Sequence, residues 1–304
     1  MKRILDCQAS DFAAMRGRAL KQAIRAGEGR TLLAEVILSW PPLLGDVSNA
    51  ELARAFGADL ILLNFFDMDH PRAEGLPEPA GDGVVAALRR LTGRPVGVNL
   101  EPVDPAADMA EDRVDIPPGR RLTAHTAARL CDLGFDFVCL TGNPKTGVSH
   151  PEIARGIRMV REVCGEDVLV IAGKMHAAGT KEPFDEDTLL DLGTRFVESG
   201  ADVVLFPAPG TVPGVTREML RPAIAEVHRR GGLVMLAVGT SQEGSDEATV
   251  RQLALESKMA GADIFHLGDA GYPGVTLPEN LLAASIALRG RRHAYRRMAA
   301  SVLR

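Results

Sequence analysis

A lysine and a histidine stand two residues apart in "IAGKMHAAGT", Lys174 and His176. A lysine at the end of an apolar run has few routes to bulk water, and desolvation frees its amine for Schiff-base or proton-transfer chemistry. The neighbouring imidazole would shuttle protons. The stretch "PVGVNLE" ends on Asn99 and Glu101, which period-two spacing puts on one strand face, with Glu101 as orienting or relay group. Glu35, Asn64, Thr141, Asn143, His266 and Asp269 stand at or near the ends of other apolar runs. With Asn99 they form the expected substrate-binding set. A buried polar atom without a partner costs a few kcal/mol, so polar ends converging on one place suit a polar ligand. Two alternatives stay open: Glu35 as an interior partner of Lys174, and His266 as a satisfied core histidine between Phe265 and Leu267.

Two glycine-rich stretches, "GTSQEGS" and "GDAGYPG", read as an anion cradle. Glycine lets backbone amides approach a phosphate, and hydroxyls add donors. The expected phosphate-binding residues are Gly239, Thr240, Ser241, Gly268 and Gly271. Asp269 would repel a phosphate unless turned away, and suits a hydroxyl or a metal instead.

The elements that must position these groups repeat along the chain. "GADLILLN", "GFDFVCLT", "GADVVLFP" and "GADIFHLG" each follow a segment of helical spacing. The glycine closes a helix and the aspartate starts a strand. Between them lie "LLAEVILS", "PVGVNLE", "VLVIAGK" and "LVMLAVG". Near-continuous apolar character is the pattern of parallel strands buried on both faces. Eight such β/α units predict an α/β fold, a closed (β/α)8 TIM barrel, with its chemistry at the C-terminal mouth of the strands. The regular pace of the Gly-x-Asp starts suggests a duplicated βαβα unit. One domain covers residues 1–304: an extension over 1–30 with a helix from Ser10 to about Arg25, the barrel over 31–290, and a basic C-terminal helix over 291–304. The proline-rich piece 102–118 reads as an insertion, a lid or a decoration.

The formal net charge of −5 leaves no basic footprint for nucleic acid. No apolar run approaches the roughly 18–20 residues that cross a bilayer, and the start lacks a signal peptide's apolar stretch. The four cysteines form no C-x-x-C pair, which predicts reduced thiols in a cytoplasmic protein. Self-association is expected, as in many barrels with added terminal helices.

"GADLILLNFFD", "RPVGVNLEP", "GFDFVCLTGNP" and "GADVVLFPAPGT" resemble, at the level of pattern, strands of the BtpA-type barrels, a family linked to photosystem I assembly. "IAGKMHAAGT", "GTSQEG" and "HLGDAGY" resemble more closely a family of uncharacterised bacterial barrel proteins, some of which carry a phosphoenolpyruvate phosphonomutase-like label. That label implies a Mg²⁺-dependent lyase or mutase of the isocitrate lyase superfamily. The chain departs from that pattern: "NLEPVD" stands where an Asp-x-Asp run belongs, and the Lys-Cys-Gly-His loop is absent.

The functional expectation is an enzyme of lyase, aldolase or isomerase type on a small, phosphorylated or otherwise anionic, carbonyl or sugar-like metabolite. The alternatives are a non-catalytic metabolite-binding or assembly protein and a divalent-metal (Mg²⁺) phosphonomutase-like lyase or hydrolase.

Overall fold

Strands β1 (Thr31–Ile37), β2 (Leu60–Asn64), β3 (Val96–Leu100), β4 (Phe137–Leu140), β5 (Leu169–Gly173), β6 (Val203–Pro207), β7 (Leu233–Val238) and β8 (Ile264–Leu267) are all parallel and close into one barrel in chain order. The computed structural model describes residues 2–78, 80–271 and 273–304. Helices α1 (Ala9–Ala14), α2 (Gly17–Arg25), α3 (Asn49–Ala55), α4 (Val84–Thr92), α5 (Ala124–Asp132), α6 (His150–Cys164), α7 (Glu186–Glu198), α8 (Arg217–Arg229), α9 (Glu247–Ala260) and α10 (Pro278–Ala299) complete it. Every strand residue is buried, which is why the runs lack polar alternation. Alternate positions serve two cores. Leu33, Leu62, Phe137, Ile171, Leu205 and Met235 fill the interior, while Ala34, Leu63, Val138, Ala172, Val204 and Leu236 meet the helices.

The Gly-x-Asp repeat has a definite mechanical role. The Oδ2 atoms of Asp59, Asp136, Asp202 and Asp263 accept the amides of Leu32, Val96, Val170 and Val234 at 2.9, 2.9, 3.0 and 2.8 Å. Each aspartate of an even strand thus clamps the odd strand before it at the barrel floor. Each also meets a basic group: Arg289 and Arg297 for Asp59, Arg89 for Asp136, Lys21 for Asp202 and His228 for Asp263.

The terminal segments depart in detail from the sequence expectation. The single N-terminal helix is two, broken at extended Met15 and Arg16, and its cap is Gln8, not Ser10. A Cβ at Gly17 would lie 1.8 Å from the Glu166 carbonyl oxygen, so the chain must turn there against the loop before β5. The basic C-terminal segment continues α10 across a kink at Gly290. Its Arg297 is buried under the floor, stacked over Phe12 and bonded to the carbonyls of Ile4 and Cys7. Two cysteines also correct the all-thiol expectation. Packing of α5 on α6 brings Cys131 and Cys164 together as a disulfide, with Cα atoms 6.3 Å apart, while Cys7 and Cys139 are buried thiols. No helix among the described residues is long and apolar enough to cross a membrane.

Candidate active site

A cavity of about 270 Å³ opens at the C-terminal ends of the strands. Strand parity explains its lining. On β1, β2 and β3 the inward positions include Glu35, Asn64 and Asn99, and Thr141 continues the inward positions of β4; all four line the cavity. Gly239 and Gly268 continue the inward positions of β7 and β8. With no side chain there, the cavity extends toward those two strands.

An amide and carboxylate network binds these groups together. Asn99 Nδ2 donates to Glu35 Oε1 and to Asn64 Oδ1, the latter at 3.2 Å. Asn64 Nδ2 donates to Asn143 Oδ1 at 3.0 Å and to Asp269 Oδ2 at 2.9 Å. Asn143 donates through its backbone amide and Nδ2 to Glu101 at 2.9 and 3.0 Å. Arg120 neutralises Glu101 at 2.7 Å from a loop, with its guanidinium 4.3 Å from the Phe65 ring centre. Glu101 therefore supports Asn143 from behind and does not line the cavity. His266 lies fully buried beneath, its Nε2 3.0 Å from Glu35 Oε2, so the interior partner of Glu35 is His266 and not Lys174.

Lys174 is placed away from the cavity. Leu169, Ile171 and Met175 point inward, so Lys174 points outward by the same alternation. Its Nζ is held by Val148 O at 3.0 Å, Thr180 Oγ1 at 2.9 Å and Glu182 Oε2 at 2.8 Å. Glu182 also meets His150, which is buried and not the surface residue its sequence suggests. Burial works against ionised Glu182, but hydrogen bonds from His150 and Lys174 overcome it and hold the carboxyl at about 2. The expected shared face of Lys174 and His176 fails because the strand ends at Gly173. The turn that follows brings His176, alone of the two, to the cavity wall.

His176 Nδ1 accepts the Ala178 amide at 3.0 Å, which leaves Nε2 to carry the proton of the neutral ring. Burial, and secondly Lys174, lower its pKa, so the ring is neutral at neutral pH. Two carboxyls are displaced the other way. Burial raises Glu243 to about 7, and burial with the nearby Glu35 charge raises Asp269 to about 6.

Two amides of the expected anion cradle are engaged within the protein. The Gly268 amide donates to Val238 O at 2.8 Å and that of Gly271 to Asp269 Oδ1 at 2.7 Å. Thr240 Oγ1 turns to Thr211 O at 3.1 Å and lies off the cavity. Gly239, Ser241, Gly268 and Gly271 all line the cavity, beside Asp269 and Glu243, and neither lysine nor arginine lines it among the described residues.

Sequence reasoning missed Glu243, Trp40, Phe65 and Met175, all on the cavity wall. The signal for Glu243 was an acid inside the glycine-rich turn after β7; Trp40 and Phe65, ring centres 5.9 Å apart, gave none. The Mg²⁺ implied by the superfamily label finds acidic oxygens here, but not a converging set. Among the described residues no three acid, histidine or cysteine groups meet as ligands, and Glu35, Glu101 and Asp269 are already engaged. No preassembled three-ligand site for a divalent ion is present among the described residues.

Fold and cavity define the chain as a (β/α)8 barrel with an acidic, amide-lined mouth. Residues 5–304 match the model of the family described as Domain of unknown function (DUF7916), and the chain belongs to that family. It is similar in structure to oxaloacetate acetylhydrolase, at 14% identity over 84% of this chain and 81% of that one, TM-score 0.51. It is likewise similar to 2,3-dimethylmalate lyase, a PEP mutase/isocitrate lyase superfamily member, at 15% identity over 87% and 82%, TM-score 0.51. A third similar structure is phosphoenolpyruvate phosphomutase from Streptomyces platensis subsp. rosaceus, at 19% identity over 84% and 82%, TM-score 0.52. At these identities the likeness establishes the fold. No curated protein matches the chain. The likeness to BtpA-type barrels stays one of sequence pattern.

Proposed function

We propose that this protein is an enzyme of lyase or isomerase type, moving protons on a small, uncharged hydroxy-carbonyl or sugar-like metabolite at the barrel mouth. One observation carries the reading. Asn99 Oδ1, Thr141 Oγ1 and Glu243 Oε2 are buried on the cavity wall and have no partner within the protein. Polar atoms left this way are costly unless a ligand completes them. Two of the three are pure acceptors while Glu243 is ionised, so the ligand must bring hydrogens, as hydroxyl groups do. A phosphate dianion brings none and would lie against Glu35, Asp269 and ionised Glu243 with no lysine or arginine to offset them. The reading therefore keeps the carbonyl or sugar-like substrate and sets aside its phosphate.

The two displaced carboxyls supply acid and base. At neutral pH Asp269 is mostly ionised and Glu243 is about half protonated. Asp269 removes a proton from the carbon beside the substrate carbonyl. The electron pair moves toward the carbonyl oxygen, where the neutral Nε2–H of His176 donates a hydrogen bond to the growing charge. In an isomerisation Glu243 protonates the enolate oxygen to give an enediol and takes the proton of its other hydroxyl, while Asp269 returns its proton to the former carbonyl carbon, which restores both carboxyls. In a lyase reaction Asp269 instead takes the proton of the hydroxyl β to the carbonyl; that oxygen becomes the carbonyl of the leaving fragment as the carbon–carbon bond breaks, the bonding pair forms the enolate held by His176, and Glu243 protonates the enolate carbon. Asn64 fixes Asp269, and Glu35 fixes Asn99, so the network orients both ends of the substrate. The lyase and mutase names of similar barrels lend support to this class.

The test is proton NMR in D₂O with a panel of hydroxyketones, ketoses and aldoses. Wild-type protein is expected to exchange one carbon-bound proton of a substrate for deuterium, and Glu243→Gln to lose at least about 10²-fold in rate. A compound that binds at the mouth without exchange or turnover would make the protein a metabolite binder and overturn the proposal.

A further inference from the structure

The end of the barrel opposite the mouth carries an excess of buried positive charge. Asp59 is fully buried and meets Arg289 Nη1 at 2.7 Å and Arg297 Nε at 2.8 Å. A third buried guanidinium, Arg94, finds no carboxylate; it donates to the carbonyls of Ala58, Gly93 and Arg297 at 3.1, 3.0 and 3.3 Å. Burial, and secondly the charge of Arg297, push its pKa down to about 9. Three guanidinium groups thus face a single carboxylate.

Beside them, between α1 and α4, lies a cleft of about 230 Å³ lined by Arg16, Arg89, Arg90 and Arg94, with Phe12 on its wall. No acidic side chain lines it. Arg16 and Arg89 reach Asp136 Oδ1 at 3.8 and 3.1 Å; Arg16 Nη1 also donates to the carbonyls of Ala13 and Met15, which leaves its Nε and Nη2 for a ligand. Arg90 is exposed and makes no ion pair among the described residues. Planar, multi-donor arginines converging on a small concavity are the usual recognition chemistry of phosphate groups.

We propose that this cleft binds a small phosphate-bearing anion, at a site separate from the barrel mouth. The anion would lie across the forks of Arg16, Arg89 and Arg90, with Arg94 behind them supplying field. Binding would offset the charge excess under the floor, and so tighten the packing of α1 and α10 against the barrel. The inference stands apart from the reading of the mouth, since no residue is shared between the two sites.

The probe is inorganic pyrophosphate, measured by isothermal titration and by thermal shift on the full chain at matched ionic strength. Wild type is expected to bind saturably with a rise in Tm, and Arg90→Glu to weaken binding by about tenfold or more. Arg90 is exposed, so this variant is expected to fold; Arg90→Lys should retain most of the affinity. Glu243→Gln should bind as wild type does. Absence of saturable binding, unchanged affinity in Arg90→Glu, or loss of binding in Glu243→Gln would each overturn the proposal.

Discussion

His266 on the last strand and Glu35 on the first meet 3.0 Å apart inside the barrel, across the seam where β8 pairs with β1. The other oxygen of Glu35 accepts from Asn99, so one carboxylate ties three strands to the substrate-facing amide.

Replacing that carboxylate by an amide puts a donor where only acceptors fit. Glu35→Gln leaves either the Asn99 donor facing an NH₂ group or His266 forced into the tautomer whose Nε2 accepts. A loss of about 1–3 kcal/mol in urea unfolding is expected. The exchange reaction should fall with it, because Asn99 loses its anchor; unchanged stability and rate would contradict the assigned network.

Glu243 gives a stability prediction whose sign is opposite to the usual carboxylate. Its folded pKa is about 7 against an ordinary 4.5, so the folded state holds more protons between those values. Stability therefore falls as pH rises from about 4.5 to about 7. Glu243→Gln removes that loss, and its Tm should exceed the wild-type value at pH 8 and match it near pH 4. A Tm difference that does not depend on pH would contradict the displacement.

Lys174→Met separates the sequence expectation from the structure. The amine lies outside the cavity, so a folded variant should keep its exchange rate within a few-fold. Its stability should fall, because half-buried Glu182 loses its cation. Glu182 is held at about 2 against an ordinary 4.5, so its stabilisation is present above about pH 4.5 and lost as pH falls toward 2. In the variant the folded pKa moves back toward 4.5, so this pH-dependent loss should be smaller. A well-folded Lys174→Met with activity down 10²-fold would return the lysine to the reaction.

The barrel was legible because buried parallel strands leave unbroken apolar runs and because the Gly-x-Asp starts repeat. The repeat itself was read as a helix stop and strand start. Its clamping hydrogen bonds across strands, as from Asp136 to Val96, depend on register and leave no trace in spacing. At the mouth, Glu35, Asn64, Asn99 and Thr141 follow from strand parity. Lys174 points away from the cavity because the inward parity of β5 runs through Leu169 and Ile171. His176 reaches the wall only through the turn after Gly173, which periodicity does not describe. Glu243 was passed over because its glycine-rich surroundings suggested an anion site, whereas burial there keeps a carboxyl protonated near neutrality.

The most direct test of the central claim is carbon-13 NMR titration of the side-chain carboxyls, with Glu243→Gln and Asp269→Asn as assignments. Two resonances should titrate near pH 7 and pH 6, and each should vanish in its own variant. Both carboxyls titrating near 4, as exposed acids do, would mean that the mouth holds no poised acid and base.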